Sequence, residues 1–270
     1  MGKNSFAMSF FQGILLGIVQ GLTEFLPVSS SGHLVIFQSF MNLKENTLAF
    51  DALLHLGTLV AVVIYFRTEL MLVVGSIFRW LIRREKDKYS TLAVYLAAAT
   101  VPAAAAGVAF ESLIGEAFES LAVVGAMLLV TGAILWLAES RASGVKTLES
   151  MNLKDSLWVG LAQMAAILPG LSRSGATIAA GMWQGFERRE AAKFSFLLSV
   201  PIILGAAAVS LRDGLSVYSI SIVAAAMAAA AISGFVAIAA LMKLIQEQRL
   251  RLFSVYCFIM GSLALALAVR

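Results

Sequence analysis

Long apolar runs alternate with short clusters of charged residues along the whole chain. A helix needs about 20 mostly apolar residues to cross a bilayer. Runs close to this length predict six spanning helices, at Ala52–Phe66, Leu92–Phe110, Leu121–Leu137, Phe194–Leu211, Tyr218–Met242 and Leu252–Val269. The segment Leu70–Ile82 carries Arg79 and is predicted to be an interfacial or continuing helix rather than a seventh span.

Two further apolar segments are interrupted by proline. Ser5–Thr23 is uncharged, Pro27 follows it, and only Gly32–Leu43 remains before the next charge. Ser156–Phe186 is broken by Pro169, which leaves a second piece too short to span. Broken backbone at membrane depth is tolerated only where protein or a wet cavity surrounds it. Both segments are therefore predicted to be re-entrant helical hairpins.

The two halves of the chain show a weak internal repeat. An offset of 143 residues aligns identical residues around the two broken segments, namely Gly17 with Gly160, Gln20 with Gln163, Ser29 with Ser172, Ser31 with Ser174 and Gly32 with Gly175. Three predicted spans follow each segment, so the second unit enters from the opposite side. We expect one integral membrane domain, 1–270, with inverted-topology repeats at about 1–139 and 143–270. Two unrelated proline-kinked helices are the alternative.

The composition excludes soluble and disordered proteins. Of the 270 residues, 60% are hydrophobic and 13% are charged, whereas soluble domains average about 25% charged. The mean hydropathy is +0.89. A soluble globule could not bury this much apolar surface, so the chain is predicted to be an all-α polytopic membrane protein. The net charge of +4 reflects cationic loops in contact with membrane lipids, and no nucleic acid partner is expected.

Lysine and arginine concentrate in alternate loops, which predicts the orientation. The cationic loops, predicted to be cytoplasmic, hold Arg79, Arg83, Arg84, Lys86 and Lys88; Arg141, Lys146 and Lys154; Arg188, Arg189 and Lys193; and Lys243, Arg249 and Arg251. The loop between the first two carries only Glu111, Glu116 and Glu119 and is predicted to be outside. Both termini are then outside as well.

One acid and one base stand alone within the broken segments. Glu24 is the only charged residue between positions 3 and 44, and Arg173 is the only one between positions 155 and 187. A charge at membrane depth costs at least about 2.5–3.5 kcal/mol and usually marks function. A buried ion pair that merely holds the two hairpins together is the structural alternative.

Hydroxyl groups accompany both charges. Pro27 ends the first helix, the serines that follow stand where helix N-caps are expected, and His33 lies in the next first turn. Helix N-termini bind anions, and arginine is suited to clamping phosphate. The residues expected to bind phosphate are Ser29, Ser31, Gly32, Ser172, Arg173, Ser174 and Thr177. Together they predict a phosphorylated lipid as the ligand.

The strings QGLTEFLPVSSSGH and PGLSRSGAT closely resemble the paired motifs of the BacA-type undecaprenyl-pyrophosphate phosphatases. FDALLHLGTLVAV, DSLWVGLAQ and FSFLLSVPIILG are also similar to that family, from about Ile14 to the C-terminus. The resemblance implies hydrolysis of undecaprenyl diphosphate to the monophosphate and phosphate at the outer face of the cytoplasmic membrane. It further implies recycling of the cell-wall lipid carrier, bacitracin resistance and dependence on a divalent cation, Mg²⁺ or Ca²⁺.

The resemblance also implies roles for particular residues. The acidic pair of the family falls on Gln20 and Glu24, its serine–histidine cluster on 29–33, and its arginine on Arg173. Gln20 stands where many members carry glutamate, and Glu24 with Gln20 is the expected metal site. Arg173 would hold the diphosphate, and Ser30 is the candidate nucleophile with His33 as its acid/base partner.

Several alternatives remain open at this point. Glu24 could be a general base instead of a metal ligand, Ser30 a plain N-cap, and His33 a phosphate donor. Attack by water instead of serine is equally compatible with the sequence. Asp51 and His55, at i,i+4, are expected to form a structural pair that closes the helix end, with a catalytic role as the alternative. A transporter or flippase of an anionic polyprenyl phosphate lipid is the rival function, and a homodimer is left open.

Overall fold

The structure, a computed structural model, describes residues 8–43, 47–140, 144–210, 218–247 and 249–269. Within these ranges the chain forms twelve α-helices and no β-strand. The helices are α1 Phe10–Phe25, α2 Ser30–Phe40, α3 Thr47–Tyr65, α4 Arg67–Arg83, α5 Lys88–Ala109, α6 Glu111–Glu119, α7 Leu121–Glu139, α8 Leu153–Ala165, α9 Arg173–Trp183, α10 Arg188–Ser210, α11 Ile220–Leu244 and α12 Leu250–Ala268. Ser5, Arg141 and Leu211, named above, lie outside the described residues.

Six of these helices are long and apolar enough to cross a membrane. They are α3, α5, α7, α10, α11 and α12, and each overlaps one of the predicted spans. The prediction of a multi-pass helical membrane protein is confirmed. Helix α4 follows α3 after a break at Phe66 and is not one of the six. This agrees with the prediction that Leu70–Ile82 is not a seventh span.

The acidic segment between α5 and α7 is a helix, which the sequence pattern did not predict. Glu111 lies in the first turn of α6, and no residue of this helix is buried. The three glutamates had indicated only an outside loop. A helix of 9 residues contributes too few apolar positions for the period of 3.6 to stand out.

Each proline-broken segment folds into two helices joined by a turn. We call α1, the turn 26–29 and α2 hairpin 1, and α8, the turn 166–172 and α9 hairpin 2. In both hairpins the second helix packs against the first. Helices α2 and α9 have 11 residues each. At about 1.5 Å per residue, neither can cross the hydrocarbon core of about 30 Å.

Each hairpin packs against a spanning helix of the other half. Helix α1 lies along α11, and α8 lies along α5. Glycines permit both contacts, because an added Cβ would lie 2.3 Å from the Ala226 oxygen at Gly17 and 2.7 Å from the Ala99 oxygen at Gly160. Helices α7 and α12 pack together. An inverted repeat predicts this exchange of partners, and the repeat boundaries stay a prediction.

Candidate active site

The two hairpins meet at their turns. A Cβ added to Gly32 would lie 3.0 Å from the Gly170 Cα, so the two backbones are in close contact. The Ser174 hydroxyl donates a hydrogen bond to the Leu26 carbonyl oxygen at 3.2 Å. Residues of the two broken segments, far apart in the sequence, therefore form one site.

Serine caps the second helix of each hairpin. Ser29 Oγ accepts from the Gly32 N–H at 3.3 Å, and Ser172 Oγ accepts from the Gly175 N–H at 3.0 Å. The N-cap of α2 is therefore Ser29 and not Ser30, which was the alternative role considered for Ser30. Ser29 has φ +68°, a left-handed value that is uncommon for a residue other than glycine.

Glu24 is the centre of the site. Its Oε1 accepts from Arg173 Nη2 at 2.8 Å, and its Oε2 accepts from Ser30 Oγ at 2.5 Å and from Gln20 Nε2 at 3.0 Å. The Glu24 side chain is only 4% exposed, and that of Arg173 is 15% exposed. The ion pair between the hairpins, considered above as a structural alternative, is present as one part of this larger cluster.

His55 adds a second cation beside Glu24. Its Nε2 lies 3.3 Å from Glu24 Oε2, and its Nδ1 lies 2.7 Å from the Asp51 carbonyl oxygen. A carbonyl only accepts, so Nδ1 carries a hydrogen, and an unprotonated Nε2 would direct its lone pair at the carboxylate. The geometry therefore suits the imidazolium form, which donates from both ring nitrogens.

The expected side-chain pair of Asp51 and His55 does not form. The Asp51 carboxylate instead accepts from Gln38 Nε2 at 2.6 Å. The i,i+4 spacing suggested a local pair, whereas the long-range contact with Glu24 was not visible from spacing. A histidine inside an apolar run, at membrane depth, was the signal that could have indicated a site residue.

Arg173 is anchored from behind by α10. Its Nη1 donates to the Ser195 carbonyl oxygen at 3.2 Å. The Thr177 hydroxyl bonds the Arg173 carbonyl oxygen at 2.8 Å and the Ser195 hydroxyl at 2.6 Å. Thr177, expected to bind phosphate, is thus engaged inside the protein, and Ser195 is a contributor that the sequence did not suggest. The bonds to Ser195 and Glu24 engage two of the five N–H groups of the guanidinium.

His33 does not contact Ser30. Its Nδ1 lies 2.7 Å from the Ser29 carbonyl oxygen, and its Nε2 lies 2.7 Å from the Tyr256 hydroxyl. The expected Ser30–His33 partnership is therefore replaced by the hydrogen bond of Ser30 to Glu24. Tyr256 was missed because it stands on the last helix, distant in sequence, where nothing local distinguishes it.

Gln20 supplies the one uncommitted oxygen of this cluster. Gln20 Oε1 is buried with no hydrogen-bond partner, and the same is true of Gln163 Oε1 at the equivalent position of the second half. Among the described residues, no group of three or more His, Cys, Asp or Glu side chains is placed to hold a metal. An oxygen-preferring cation would find here one amide oxygen and one carboxylate.

Comparison with known proteins gives matches over nearly the whole chain. The family model described as "Bacitracin resistance protein BacA" matches residues 13–263. The chain is 45% identical over 266 residues to the undecaprenyl-diphosphatase of Methanobrevibacter smithii, covering 94% of this chain and 96% of that protein. It is 42% identical over 275 residues to the undecaprenyl-diphosphatase of Desulfosudis oleivorans, covering 97% and 100% of the two chains.

Proposed function

Because this chain belongs to the BacA family, we propose that it is an integral membrane phosphatase that hydrolyses undecaprenyl diphosphate to undecaprenyl monophosphate and phosphate. The reaction returns the lipid carrier to cell-wall synthesis and confers bacitracin resistance. The observation that carries the proposal is the buried Glu24 carboxylate, which joins Arg173 of one hairpin to Ser30 of the other. A lipid diphosphate supplies both the anion for this site and the tail for the surrounding membrane.

Arg173 and the two helix N-termini bind the diphosphate. The N-termini of α2 and α9 meet at the contact of Gly32 with Gly170, and their dipoles favour negative charge there. The negative charge of Glu24 neutralises only one of the two positive charges beside it, those of Arg173 and His55, so a net positive charge remains to attract an anion. These fixed donors stabilise the charge that develops on the transferred phosphoryl group.

Ser30 is the nucleophile in this proposal, and Glu24 receives its proton. Ser30 Oγ attacks the terminal phosphorus, the bond from that phosphorus to the bridging oxygen breaks, and undecaprenyl monophosphate leaves. Water then hydrolyses the phosphoserine, which releases phosphate and restores the serine hydroxyl. The support for these roles of Ser30 and Glu24 is the hydrogen bond from Ser30 Oγ to Glu24 Oε2 at 2.5 Å.

The residues present fit a divalent cation, Mg²⁺ or Ca²⁺. Gln20 and Glu24 would hold it, since Gln20 Oε1 has no hydrogen-bond partner and Glu24 supplies a carboxylate beside it. Mg²⁺ commonly uses one or two protein carboxylates together with substrate phosphates. When bound, the cation would neutralise charge on the diphosphate oxygens.

The site is proposed to open toward the outer face of the cytoplasmic membrane. The support is the resemblance to the BacA family, together with the distribution of lysine and arginine among the loops, which predicts that the N-terminus lies outside. Hairpin 1 would then enter from the outer side and hairpin 2 from the cytoplasmic side.

Phosphate release from undecaprenyl diphosphate by the purified chain in detergent tests the proposal. Arg173→Lys removes the planar fork and is expected to lower kcat/KM by about 10²–10³-fold. Arg189→Lys, at an exposed position, is the matched control and should retain the wild-type rate. EDTA should stop release, and added Mg²⁺ or Ca²⁺ should restore it.

Two further results would contradict parts of the proposal. Ser30→Ala should abolish both turnover and a phosphoenzyme trapped by acid quench; full turnover in this variant would replace serine attack with attack by water. If the wild-type chain binds the lipid in an Arg173-dependent manner but releases no phosphate, it is a carrier of the lipid and not a hydrolase.

A further inference from the structure

The last helix contacts hairpin 1 through two neighbouring side chains. The Tyr256 hydroxyl lies 2.7 Å from His33 Nε2, and the two rings are nearly parallel, at 6°, with centroids 5.6 Å apart. The Cys257 thiol donates to the Pro27 carbonyl oxygen at 3.7 Å. Helix α12 therefore holds the turn of hairpin 1 from the opposite end of the chain.

Tyr256 satisfies the ring nitrogen of His33 that the backbone does not reach. The Ser29 carbonyl oxygen accepts from Nδ1, so Nδ1 carries a hydrogen and Nε2 needs a partner of its own. His33 is 2% exposed and receives none from bulk water. A phenol hydroxyl can donate or accept, and it therefore fixes the ring whichever way Nε2 is protonated.

The ring of His33 in turn supports a strained backbone. Ser29 has φ +68° and ψ +97°, and such conformations persist only where their surroundings hold them. The Ser29 carbonyl oxygen is held by His33 Nδ1, and Ser29 Oγ is held by the Gly32 N–H. The next residue is Ser30, whose hydroxyl donates a hydrogen bond to the Glu24 carboxylate.

We propose that Tyr256 is a positioning residue for the hydrolysis: acting through His33, it holds the strained Ser29 turn that places Ser30 against Glu24. This inference rests on the proposed function. Removing the Tyr256 hydroxyl leaves the contacts of Arg173 with Glu24 and Ser195 in place. Substrate binding should therefore be kept while the chemical step slows.

Steady-state phosphate release with Tyr256→Phe is the first test. A buried nitrogen left unpaired is expected to lower kcat by about tenfold or more, with KM within about twofold of wild type. Tyr65→Phe is the matched control, because the Tyr65 ring contacts Phe66 and Phe235 and its hydroxyl takes part in none of the described hydrogen bonds. In a His33→Ala background, Tyr256→Phe should cause no further loss, since both changes break one chain of contacts.

A second readout separates positioning from a general structural effect. The chain has 2 histidines, so ¹⁵N labelling of imidazole gives two sets of resonances, assigned with His33→Ala. Tyr256→Phe should move the Nε2 resonance of His33 and leave that of His55 in place. An unmoved His33 resonance, or additive losses in the double variant, would overturn the inference. If Tyr256→Phe moves the His33 resonance but the wild-type chain releases no phosphate, the proposed function alone is overturned.

Discussion

The two oxygens of Glu24 have different partners. Oε1 accepts from Arg173, whereas Oε2 accepts from Ser30 and faces His55. A carboxylate with partners on both oxygens is fixed in direction, so it can orient both the arginine and the serine. Glu24 therefore links the phosphate-binding side of the site to the nucleophile.

The contribution of His55 to this link can be measured. His55→Leu removes one of the two cations beside Glu24 and should lower kcat/KM by about 10–100-fold, the range for a lost hydrogen bond to a charged group. His55→Gln keeps an N–H donor within reach and should retain more activity than His55→Leu. Phosphate release checks both variants. If both variants keep the wild-type rate, neither the charge nor the hydrogen bond of His55 contributes to catalysis.

Isolated charges in apolar surroundings made part of this site predictable. Glu24 and Arg173 stood out because a charge at membrane depth needs a reason, and the capping serines followed from Pro27 and Pro169. The roles of His33 and His55 were not predictable in the same way. Their partners, Tyr256 and Glu24, lie on other helices, and only the packing of the whole bundle brings them together.

At the scale of the elements, the contact between the two turns leaves no room for side chains. Gly170 has φ +94°, and a Cβ there would lie 2.3 Å from the Val124 carbonyl oxygen. Thr131 of α7 holds the same turn by donating to the Gly170 carbonyl oxygen at 2.9 Å and accepting from the Ser172 N–H at 3.0 Å. These two hydrogen bonds attach the turn of hairpin 2 to α7.

Gly170→Ala should disrupt the site by two effects, backbone strain and a clash. Gly205→Ala is the matched control, because an added Cβ at this position in α10 meets nothing within 4 Å. We expect Gly170→Ala to lower stability by about 1–3 kcal/mol and to abolish phosphate release, and Gly205→Ala to stabilise by about 0.5–1 kcal/mol. Thermal unfolding in detergent measures both. A Gly170→Ala variant as stable and active as wild type would contradict the tight turn contact.

The elements were more predictable than their contacts. Continuous apolar length indicated the spans, and Tyr218–Met242 lies within two residues of α11, Ile220–Leu244, at each end. Proline and glycine marked the two broken segments. The short helix α6 escaped notice because three glutamates among few apolar positions indicate a loop, and its contacts are with the helices on either side of it, α5 and α7.

At the scale of the whole molecule, the orientation remains a prediction that labelling can test. Cys257 is fully buried, so the native chain offers a low background for a membrane-impermeant thiol reagent. Glu116→Cys, in α6, should react in intact cells, and Lys86→Cys, between α4 and α5, should react only after the membrane is opened. The reverse pattern would place the site on the cytoplasmic side.

The exchange of partners between the halves has a consequence for biosynthesis. Helix α1 is the first of the described helices to be made but packs on α11, and Tyr256 reaches His33 from α12, the last of them. Contacts this distant in sequence form late, after their loops have closed. Hairpin 1 can meet α3 and α7 earlier, but it must wait for α11 and α12 while most of the chain is translated. A chain truncated before α11 keeps Glu24, Ser30 and Arg173 but lacks the helix on which α1 packs and the Tyr256 partner of His33.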